Sequence, residues 1–333
     1  MTPHNGVRVP DAQEIPGLKF RRFRGEPDYP DMIHVLEGSR TADKTETTAS
    51  LEEVARAYRH LSNCDPYQDM LLVEVGGNLI GYTRVWWSEE QDRFIYYHFA
   101  PLLPEWRGKG IRRAMARHSE NRLREIAASH AQSATKFFVA RAESTETHWT
   151  SLLSGEGYSP VRYFFRMICS LKDIPTVPLP EGFEIRTVKR DDYEPILEAA
   201  KRAYQDAYES SELHDELFYR WVEDPTFKPE LWQIAWSKTD VAGLVLSFIN
   251  ERENNELARK RGTVKLVAVC HPYRRKGLAR ALIARSFRVL REYGMTEVST
   301  TVDTQGESGV LDLYQSMGFK AEKQFITYQK QIL

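Results

Sequence analysis

The sequence predicts an α/β fold in which one domain occurs twice. The chain has 333 residues, about twice the length of a typical single domain. A basic glycine loop occurs in each half, and the same order of strands and helices surrounds both copies. We therefore expect two domains, each large enough to bury its own core.

The repeated loop reads PEWRGKGIRRAM at 104–115 and PYRRKGLARAL at 272–282. The alignment brings four pairs of residues together: Arg107 with Arg274, Lys109 with Lys276, Gly110 with Gly277 and Ala114 with Ala281. A second match follows, Gly-Tyr at 157–158 and Gly-Phe at 318–319. Matches this far apart indicate that a whole domain is repeated.

Apolar and β-branched runs predict the strands of the first copy, and the amphipathic stretch after its loop predicts a long helix. The strands are 18–23, 70–75, 80–86, 94–101, 136–141 and 161–167, and the helix is 110–130.

The second copy has a similar order of elements, with two helices near its beginning. Its predicted strands are 182–188, 231–236, 241–250, 263–270, 297–303 and 324–329, and its helices are 193–208, 211–222 and 277–293. Between the copies, residues 172–180 contain three prolines, which predicts a stiff linker. We therefore expect domains at 1–171 and 181–333.

Composition excludes several classes of protein. No apolar run reaches the roughly 20 residues that span a bilayer, and residues 1–10 lack the apolar core of a signal peptide. We therefore expect a cytoplasmic protein. The net charge of −1 favours neither nucleic acid nor a membrane surface as a partner. Three separated cysteines and no HExxH spacing predict no metal site.

The second basic glycine loop suits a pyrophosphate. Its successive N–H groups and the positive end of the following helix dipole can surround such a group. Gly277 permits a close approach of the backbone, and Ala279 is small for the same reason. Four cationic residues add countercharge: Arg274, Arg275, Lys276 and Arg280. The alternative is a surface helix with solvated arginines.

The spacing Arg-x-x-Gly-x-Ala at 274–279 resembles the acetyl-CoA signature of the GNAT acetyltransferases. It fits neither the GxxxxGK[ST] nor the GxGxxG loop. The resemblance covers both halves and implies two consecutive GNAT-type domains, each a mixed, mostly antiparallel sheet flanked by helices. Tandem copies in a chain of this length are similar to the mycothiol-synthase-like branch of double GNAT proteins.

The resemblance also implies acetyl-CoA as co-substrate, with the backbone of Val267 and Val269 pairing with its pantetheine amides as an added strand would. The contacts implied in the second copy are Val267, Val269, Arg274, Arg275, Lys276, Gly277, Leu278, Ala279 and Arg280.

The segment LYQSMGF at 313–319 is similar to the LYxxxGF ending of these enzymes. The similarity implies that Tyr314 protonates the departing CoA thiolate, a general-acid role worth about 10²–10⁴-fold in rate. The alternative is a packed aromatic residue whose hydroxyl group meets another partner.

The first copy departs from the pattern at two positions. Arg112 stands where a small residue is needed, and Leu153 stands at the tyrosine position. Four of its loop residues still suit CoA: Arg107, Gly108, Lys109 and Gly110. We therefore expect the chemistry in the second copy and a structural or regulatory role for the first.

The acceptor is less well defined. Seven acidic residues near the start of the second copy predict attraction of a cationic amine, although a solvated helix face is an alternative: Asp206, Glu209, Glu212, Asp215, Glu216, Glu223 and Asp224. Lys265 stands where the family often has a glutamate. Glu256 is therefore the predicted general base, with Glu251, Glu253 and His271 as alternatives.

The predicted function is acetyl transfer from acetyl-CoA to a primary amine of a small molecule, by a monomer or a homodimer. Two other functions stay open. One is a non-catalytic acyl-CoA sensor. The other is a tandem GNAT aminoacyltransferase that uses charged tRNA.

Overall fold

The computed structural model describes residues 6–10, 12–46, 48–90, 93–204, 215–224, 226–306 and 309–332. They form two compact units. The first contains the residues up to Val161 together with those from Phe325 onward, and the second contains Arg162–Gln324.

The sheets contain twelve strands, formed by the apolar and β-branched runs of the sequence. The strands are β1 (Leu18–Arg21), β2 (Met70–Val75), β3 (Asn78–Glu90), β4 (Arg93–Phe99), β5 (Thr135–Glu143), β6 (Ser159–Ser170), β7 (Glu184–Ile185), β8 (Gln233–Ser237), β9 (Asp240–Ile249), β10 (Arg261–Val269), β11 (Glu297–Asp303) and β12 (Lys320–Gln331).

Ten helices are described. They are α1 (Tyr29–Asp43), α2 (Leu51–Arg59), α3 (Pro66–Asp69), α4 (Ile111–Ala127), α5 (Thr147–Gly155), α6 (Tyr193–Tyr204), α7 (Asp215–Val222), α8 (Glu251–Glu256), α9 (Leu278–Glu292) and α10 (Val310–Ser316). Residues 205–214 lie outside the described residues, as do the predicted helix boundaries within them.

The sheet of the first unit has the strand order β1-β2-β3-β4-β5-β12. Neighbouring strands are antiparallel except β4 and β5, which are parallel. Trp149, Tyr96 and Phe138 are among the largest side chains buried in its core.

The sheet of the second unit has the order β7-β8-β9-β10-β11-β6, and again a single neighbouring pair, β10 and β11, is parallel. Alternate residues face opposite sides of these strands. One side packs under α9 around Leu282 and Phe287, and the other packs under α6 and α7 around Phe218 and Trp232. The predicted fold class, two mixed and mostly antiparallel sheets flanked by helices, is confirmed.

The packing units differ from the predicted domain limits of 1–171, 172–180 and 181–333. The difference arises because residues before the proline-rich segment belong to the second sheet, where β6 pairs with β11. The end of β12 pairs with β5 of the first sheet. The sequence limits of the repeat stay a prediction.

Within the described ranges, none of the helices combines the length and the apolar character that crossing a membrane requires.

Candidate functional site

A cavity in the second unit forms where two parallel strands diverge. The pairing of β10 with β11 runs from Arg261 opposite Glu297 to Val264 opposite Thr300. Beyond that point β10 stays paired with β9, whereas β11 stays paired with β6. The cavity lies beside these diverging ends and has a volume of about 850 Å³.

The basic glycine loop lies at one end of this cavity. Gly277 caps α9 with a φ of 82°, and Arg275 has a φ of 61°. Glycine adopts this left-handed conformation readily, whereas other residues are strained in it. The loop leads directly into the N-terminus of α9, where N–H groups and the helix dipole favour an anion.

Most of the predicted cofactor contacts line the cavity, and so does Tyr314. The lining contains Val267, Val269, Arg274, Arg275, Gly277, Leu278, Ala279 and Arg280. Lys276 is absent from the lining, and its ammonium group lies 5.7 Å from the centroid of the Tyr273 ring. The contacts with acetyl-CoA themselves stay predictions.

The arginine shared by the two loops donates in each unit to the carbonyl group five residues before it. Arg274 Nε donates to the Val269 carbonyl at 3.0 Å, and its Nη2 donates to the Ala203 carbonyl at 3.1 Å. In the first unit, Arg107 Nε donates to the carbonyl of Leu102 at 3.2 Å. We infer that Arg274 shapes the loop while Arg275 and Arg280 supply countercharge to a phosphate.

Tyr314 lies on α10 in the wall of the cavity and is 7% exposed. Its ring is perpendicular to that of Phe319, with centroids 5.3 Å apart. Phe319 packs in turn against Phe287 of α9. Packing therefore fixes the tyrosine ring at the cavity, and the role of its hydroxyl group as an acid stays a prediction.

Glu256 does not lie among the residues that line the cavity. It belongs to α8, where it pairs with Arg252, and the Asn254 side chain joins this helix to the backbone of Arg261 at the start of β10. The cavity lies toward the other end of β10, and Val267 is roughly 20 Å further along at about 3.3 Å per residue. Glu256 therefore lies away from the lining of the cavity, and its role as a general base that acts through water stays a prediction.

The alternative bases on the same helix are also engaged elsewhere. Glu251 Oε1 accepts from Lys228 Nζ at 2.7 Å, and this hydrogen bond lowers the pKa of Glu251. Glu253 pairs with Arg259. Neither carboxylate lines the cavity, and both are held in ion pairs.

Five of the seven predicted acidic side chains lie outside the described part of the chain. Residues 206, 209 and 212 lie outside the described residues, as do the side chains of Asp215 and Glu216. Asp224 Oδ1 accepts from the backbone N–H of Thr226 at 2.8 Å and from its hydroxyl group at 2.6 Å. This carboxylate therefore stabilises a turn.

The structure adds an ion pair that the sequence did not reveal. Asp303 ends β11 and lines the cavity with Arg162 of β6. Arg162 Nε donates to Asp303 Oδ2 at 2.8 Å, and the backbone N–H of Gln305 donates to Oδ1 at 2.9 Å. The sequence predicts a strand around each residue, but no local pattern indicates that the two strands are close.

Metal-binding side chains do not cluster in the described part of the chain, where no group of three or more His, Cys, Asp or Glu could hold an ion. The charged groups that line the cavity are mostly cationic: Arg162, Lys265, Arg274, Arg275 and Arg280, with Asp303 as the acid. Arginine side chains suit phosphate groups because their planar donors match phosphate oxygens.

In the first unit, the Arg112 side chain lies in the region that corresponds to the cavity of the second unit. The pairing of β4 with β5 ends at Tyr97 opposite Val139. Arg112, the counterpart of Ala279, is only 4% exposed. Its Nε donates to the Ala100 carbonyl at 2.6 Å, and its guanidinium carbon lies 4.5 Å from the centroid of Trp149.

Ala100 precedes Arg107 by as many residues as Val267 precedes Arg274. Arg112 therefore bonds to the carbonyl of the counterpart of Val267, a residue that lines the second cavity. Burial lowers the pKa of Arg112 to about 10.

The first glycine loop is also engaged by its own protein. Arg107 forms a two-point pair with Asp43, with both N–O distances at 2.7 Å. The backbone N–H of Gly108 donates to His148 Nε2 at 3.4 Å, and Lys109 Nζ lies 4.3 Å from the Trp106 ring centroid. A phosphate would compete with these contacts, and binding by Arg107, Gly108, Lys109 and Gly110 stays a prediction.

The tyrosine position of the first unit contributes to packing. Leu153 is fully buried in the core. Five residues later, Tyr158 links His98 to Glu120. His98 Nε2 lies 2.7 Å from the Tyr158 hydroxyl group, which donates to Glu120 Oε1 at 3.0 Å. Because the hydroxyl proton goes to the carboxylate, His98 Nε2–H donates to the hydroxyl oxygen.

We expect His98 to make stability depend on pH. Burial lowers its pKa from 6.5 to about 4, so the unfolded chain binds a proton between these values that the folded chain excludes. Stability should be fully present above pH 6.5 and should fall by about 2 kcal/mol between pH 7 and pH 5. Urea unfolding at both pH values measures the change. Burial also lowers the pKa values of His118, His130 and His148, so they add to the dependence. A His98→Gln variant should lose the part that His98 contributes, and an equal slope in both proteins would contradict the assignment.

A comparison with protein families matches residues 193–319 to the model described as the acetyltransferase (GNAT) family. Two mycothiol acetyltransferases are similar in sequence. The protein from Catenulispora acidiphila is 26% identical over 181 residues, 54% of this chain and 57% of the relative. The protein from Nocardiopsis dassonvillei is 30% identical over 200 residues, 51% of this chain and 57% of the relative. The match thus spans little more than half the length of each.

Two solved structures resemble nearly the whole chain. A GCN5-related N-acetyltransferase from Sphaerobacter thermophilus has a TM-score of 0.73 at 24% identity, covering 96% of this chain and 97% of its own. A tandem GNAT protein from the clavulanic acid biosynthesis pathway has a TM-score of 0.65 at 16% identity, covering 94% and 98%. Residues 193–319 therefore form a domain of the acetyltransferase (GNAT) family, in a chain that has the fold of tandem GNAT proteins.

Proposed function

We propose that the chain transfers an acetyl group from acetyl-CoA to a primary amine of a small molecule, in the cavity of the second unit. One observation carries the proposal. The cavity brings the glycine loop, the N-terminus of α9, the diverging end of β10 and Tyr314 together. Its cationic end suits phosphates, and its apolar strand wall suits the pantetheine arm.

In the proposed reaction, the acceptor nitrogen attacks the acetyl carbonyl carbon, a C–N bond forms and the C–S bond breaks. Tyr314 gives its hydroxyl proton to the departing thiolate, the amine releases a proton to solvent, and the tyrosinate takes a proton back from solvent. Arg275, Arg280 and the N-terminus of α9 hold the phosphates. Binding both reactants in one cavity supplies the proximity that lowers the barrier.

A thiol-release assay with acetyl-CoA tests this proposal across aminoglycosides, polyamines, amino acids and peptide N-termini. We expect release of CoA that depends on the amine. Binding of acetyl-CoA without turnover of any amine would favour an acyl-CoA sensor. Absence of acetyl-CoA binding would revive the aminoacyltransferase alternative.

A further inference from the structure

The first glycine loop has the same backbone conformation as the second. Gly108 has a φ of 74° where Arg275 has 61°, and Gly110 has a φ of 71° where Gly277 has 82°. Both loops therefore adopt the left-handed conformation at the same two positions and lead into a helix of more than three turns. Any difference in what they bind must come from the side chains around them.

The first unit has larger side chains at three positions that match residues lining the cavity of the second unit. The glycine loops match one position. The Gly-Tyr pair at 157–158 and the Gly-Phe pair at 318–319, traced back without gaps, match the other two. The residues of the second unit and their counterparts are Ala279 with Arg112, Gly309 with His148, and Val310 with Trp149.

The three larger side chains meet one another, and we name them the Arg112 cluster. Arg112 Nη1 lies 3.3 Å from His148 Nδ1, and the guanidinium carbon lies over the Trp149 ring. Trp149 is fully buried, and its Nε1 donates to the carbonyl of Arg141 at 3.2 Å. Packing therefore fixes the cluster in one place.

The Arg112 cluster also engages the backbone groups that a cofactor is predicted to use. Arg112 Nε donates to the carbonyl of Ala100, the counterpart of Val267. His148 Nε2 accepts from the backbone N–H of Gly108 in the glycine loop. A pantetheine arm and a phosphate would each have to displace a side chain of the unit itself.

Carboxylates of the same unit balance the charge of Arg112. Burial lowers the pKa of Arg112, whereas the nearby carboxylates of Glu146 and Asp43 raise it. Asp43 also forms the two-point pair with Arg107. A phosphate is therefore not needed to neutralise these arginines, and it would meet two carboxylates.

The caps of the two helices differ in the same direction. A side chain added at Gly277 would meet nothing within 4 Å, whereas one added at Gly110 would meet the Gln13 side chain at 3.2 Å. The N-terminus of α9 is thus open, while that of α4 lies beside the segment that precedes β1.

We propose that the Arg112 cluster is an internal ligand that closes the cofactor position of the first unit, with Arg112 as its central residue. The chain then binds one acetyl-CoA, in the second unit. This inference rests on the proposed function for the identity of the ligand. Its alternative is the prediction that residues 107–110 also contact CoA.

The test counts acetyl-CoA sites by isothermal titration calorimetry. The wild-type chain should bind one acetyl-CoA, and Arg112→Ala should bind two. The new site should have a Kd within roughly 100-fold of the first, the loss expected when one or two hydrogen bonds to charged groups are missing. Arg113→Ala is the matched control, because Arg113 follows on the same helix, is half-exposed and pairs with Glu156. It should keep a single site.

A second substitution locates the new site. Gly277→Glu should remove the site of the second unit, and Arg112→Ala in that background should bind one acetyl-CoA. Two sites in the wild-type chain, or no gain in a folded Arg112→Ala, would overturn the inference whether or not the chain turns over an amine. One site in the wild-type chain, two in Arg112→Ala and no turnover would contradict the proposed acetyl transfer and leave the inference standing.

The reciprocal variant keeps the inference testable if Arg112→Ala does not fold. Ala279 lines the cavity of the second unit, so Ala279→Arg adds its side chain to open space. Added charge alone would strengthen binding of phosphates, whereas closure should weaken acetyl-CoA binding by roughly 100-fold or more. Glu292→Arg, at the exposed far end of α9, is the control for charge and should bind as the wild type does. Unchanged or tighter binding in Ala279→Arg would overturn the inference.

Discussion

Tyr314→Phe should lower the rate of acetyl transfer by roughly 10²-fold or more, equivalent to at least about 2.7 kcal/mol of transition-state stabilisation. The reason is that the hydroxyl proton is needed only when the C–S bond breaks. Phenylalanine keeps the perpendicular contact with Phe319, so the affinity for acetyl-CoA should change little. A single-turnover measurement at saturating acetyl-CoA isolates the chemical step from product release.

Tyr293→Phe is the matched control. Tyr293 ends α9 at the opposite end from the glycine loop, and its hydroxyl group donates to Glu230 Oε1 at 2.8 Å. Removing this exposed hydrogen bond should cost about 1 kcal/mol of stability or less and should leave the single-turnover rate unchanged. A wild-type rate in Tyr314→Phe would remove this tyrosine from the mechanism and leave it as a packed residue.

The sequence predicts the glycine loop well because the determinants of that loop are local. Gly277 at the N-cap of α9, the preceding strand and the small residue at Ala279 follow one another along the chain. Any chain with this order places N–H groups at a helix N-terminus. The loop could therefore be located before the fold was known.

Residues that meet across the sheet could not be predicted in this way. The pair Arg162–Asp303 depends on β6 lying beside β11. Likewise, the closeness of Glu256 to β10 in sequence does not say which end of that strand it meets. Helix α1 was missed for a related reason. Its buried face includes Ser39 and Asp43, and Asp43 is buried against Arg107, so the apolar pattern of a helix is interrupted.

The first unit shows how a single residue changes what a loop can bind. Ala279 leaves its wall of the cavity open, whereas Arg112 at the matched position reaches the Ala100 carbonyl and the face of Trp149. The two loops have similar backbones, since Gly110 and Gly277 both cap a helix with a positive φ. The side chains at this matched position, Ala279 and Arg112, therefore distinguish the two units.

This similarity makes a paired test of cofactor binding possible. Gly277→Glu places a strained residue and a carboxylate at the N-terminus of α9, where a phosphate is proposed to bind. In the wild-type protein, acetyl-CoA at about 100 times its Kd should stabilise the folded state by about 2.7 kcal/mol. We expect Gly277→Glu to abolish that stabilisation, because the carboxylate competes for the same N–H groups and repels the phosphates.

Gly110→Glu introduces the same side chain at the matched cap, where φ is 71° and the nearest atoms belong to the flexible Gln13 side chain. Both variants carry a similar cost in backbone strain, about 1–3 kcal/mol. A difference between them in the stabilisation by acetyl-CoA therefore reports on ligand binding. Thermal unfolding with and without acetyl-CoA measures this stabilisation, after circular dichroism has shown that both variants fold.

Because Arg112, His148 and Asp43 already engage the first loop, Gly110→Glu should keep the full acetyl-CoA shift. An unaltered shift in Gly277→Glu would place the cofactor outside the second cavity, and loss of the shift in both variants would show that the first loop also binds it.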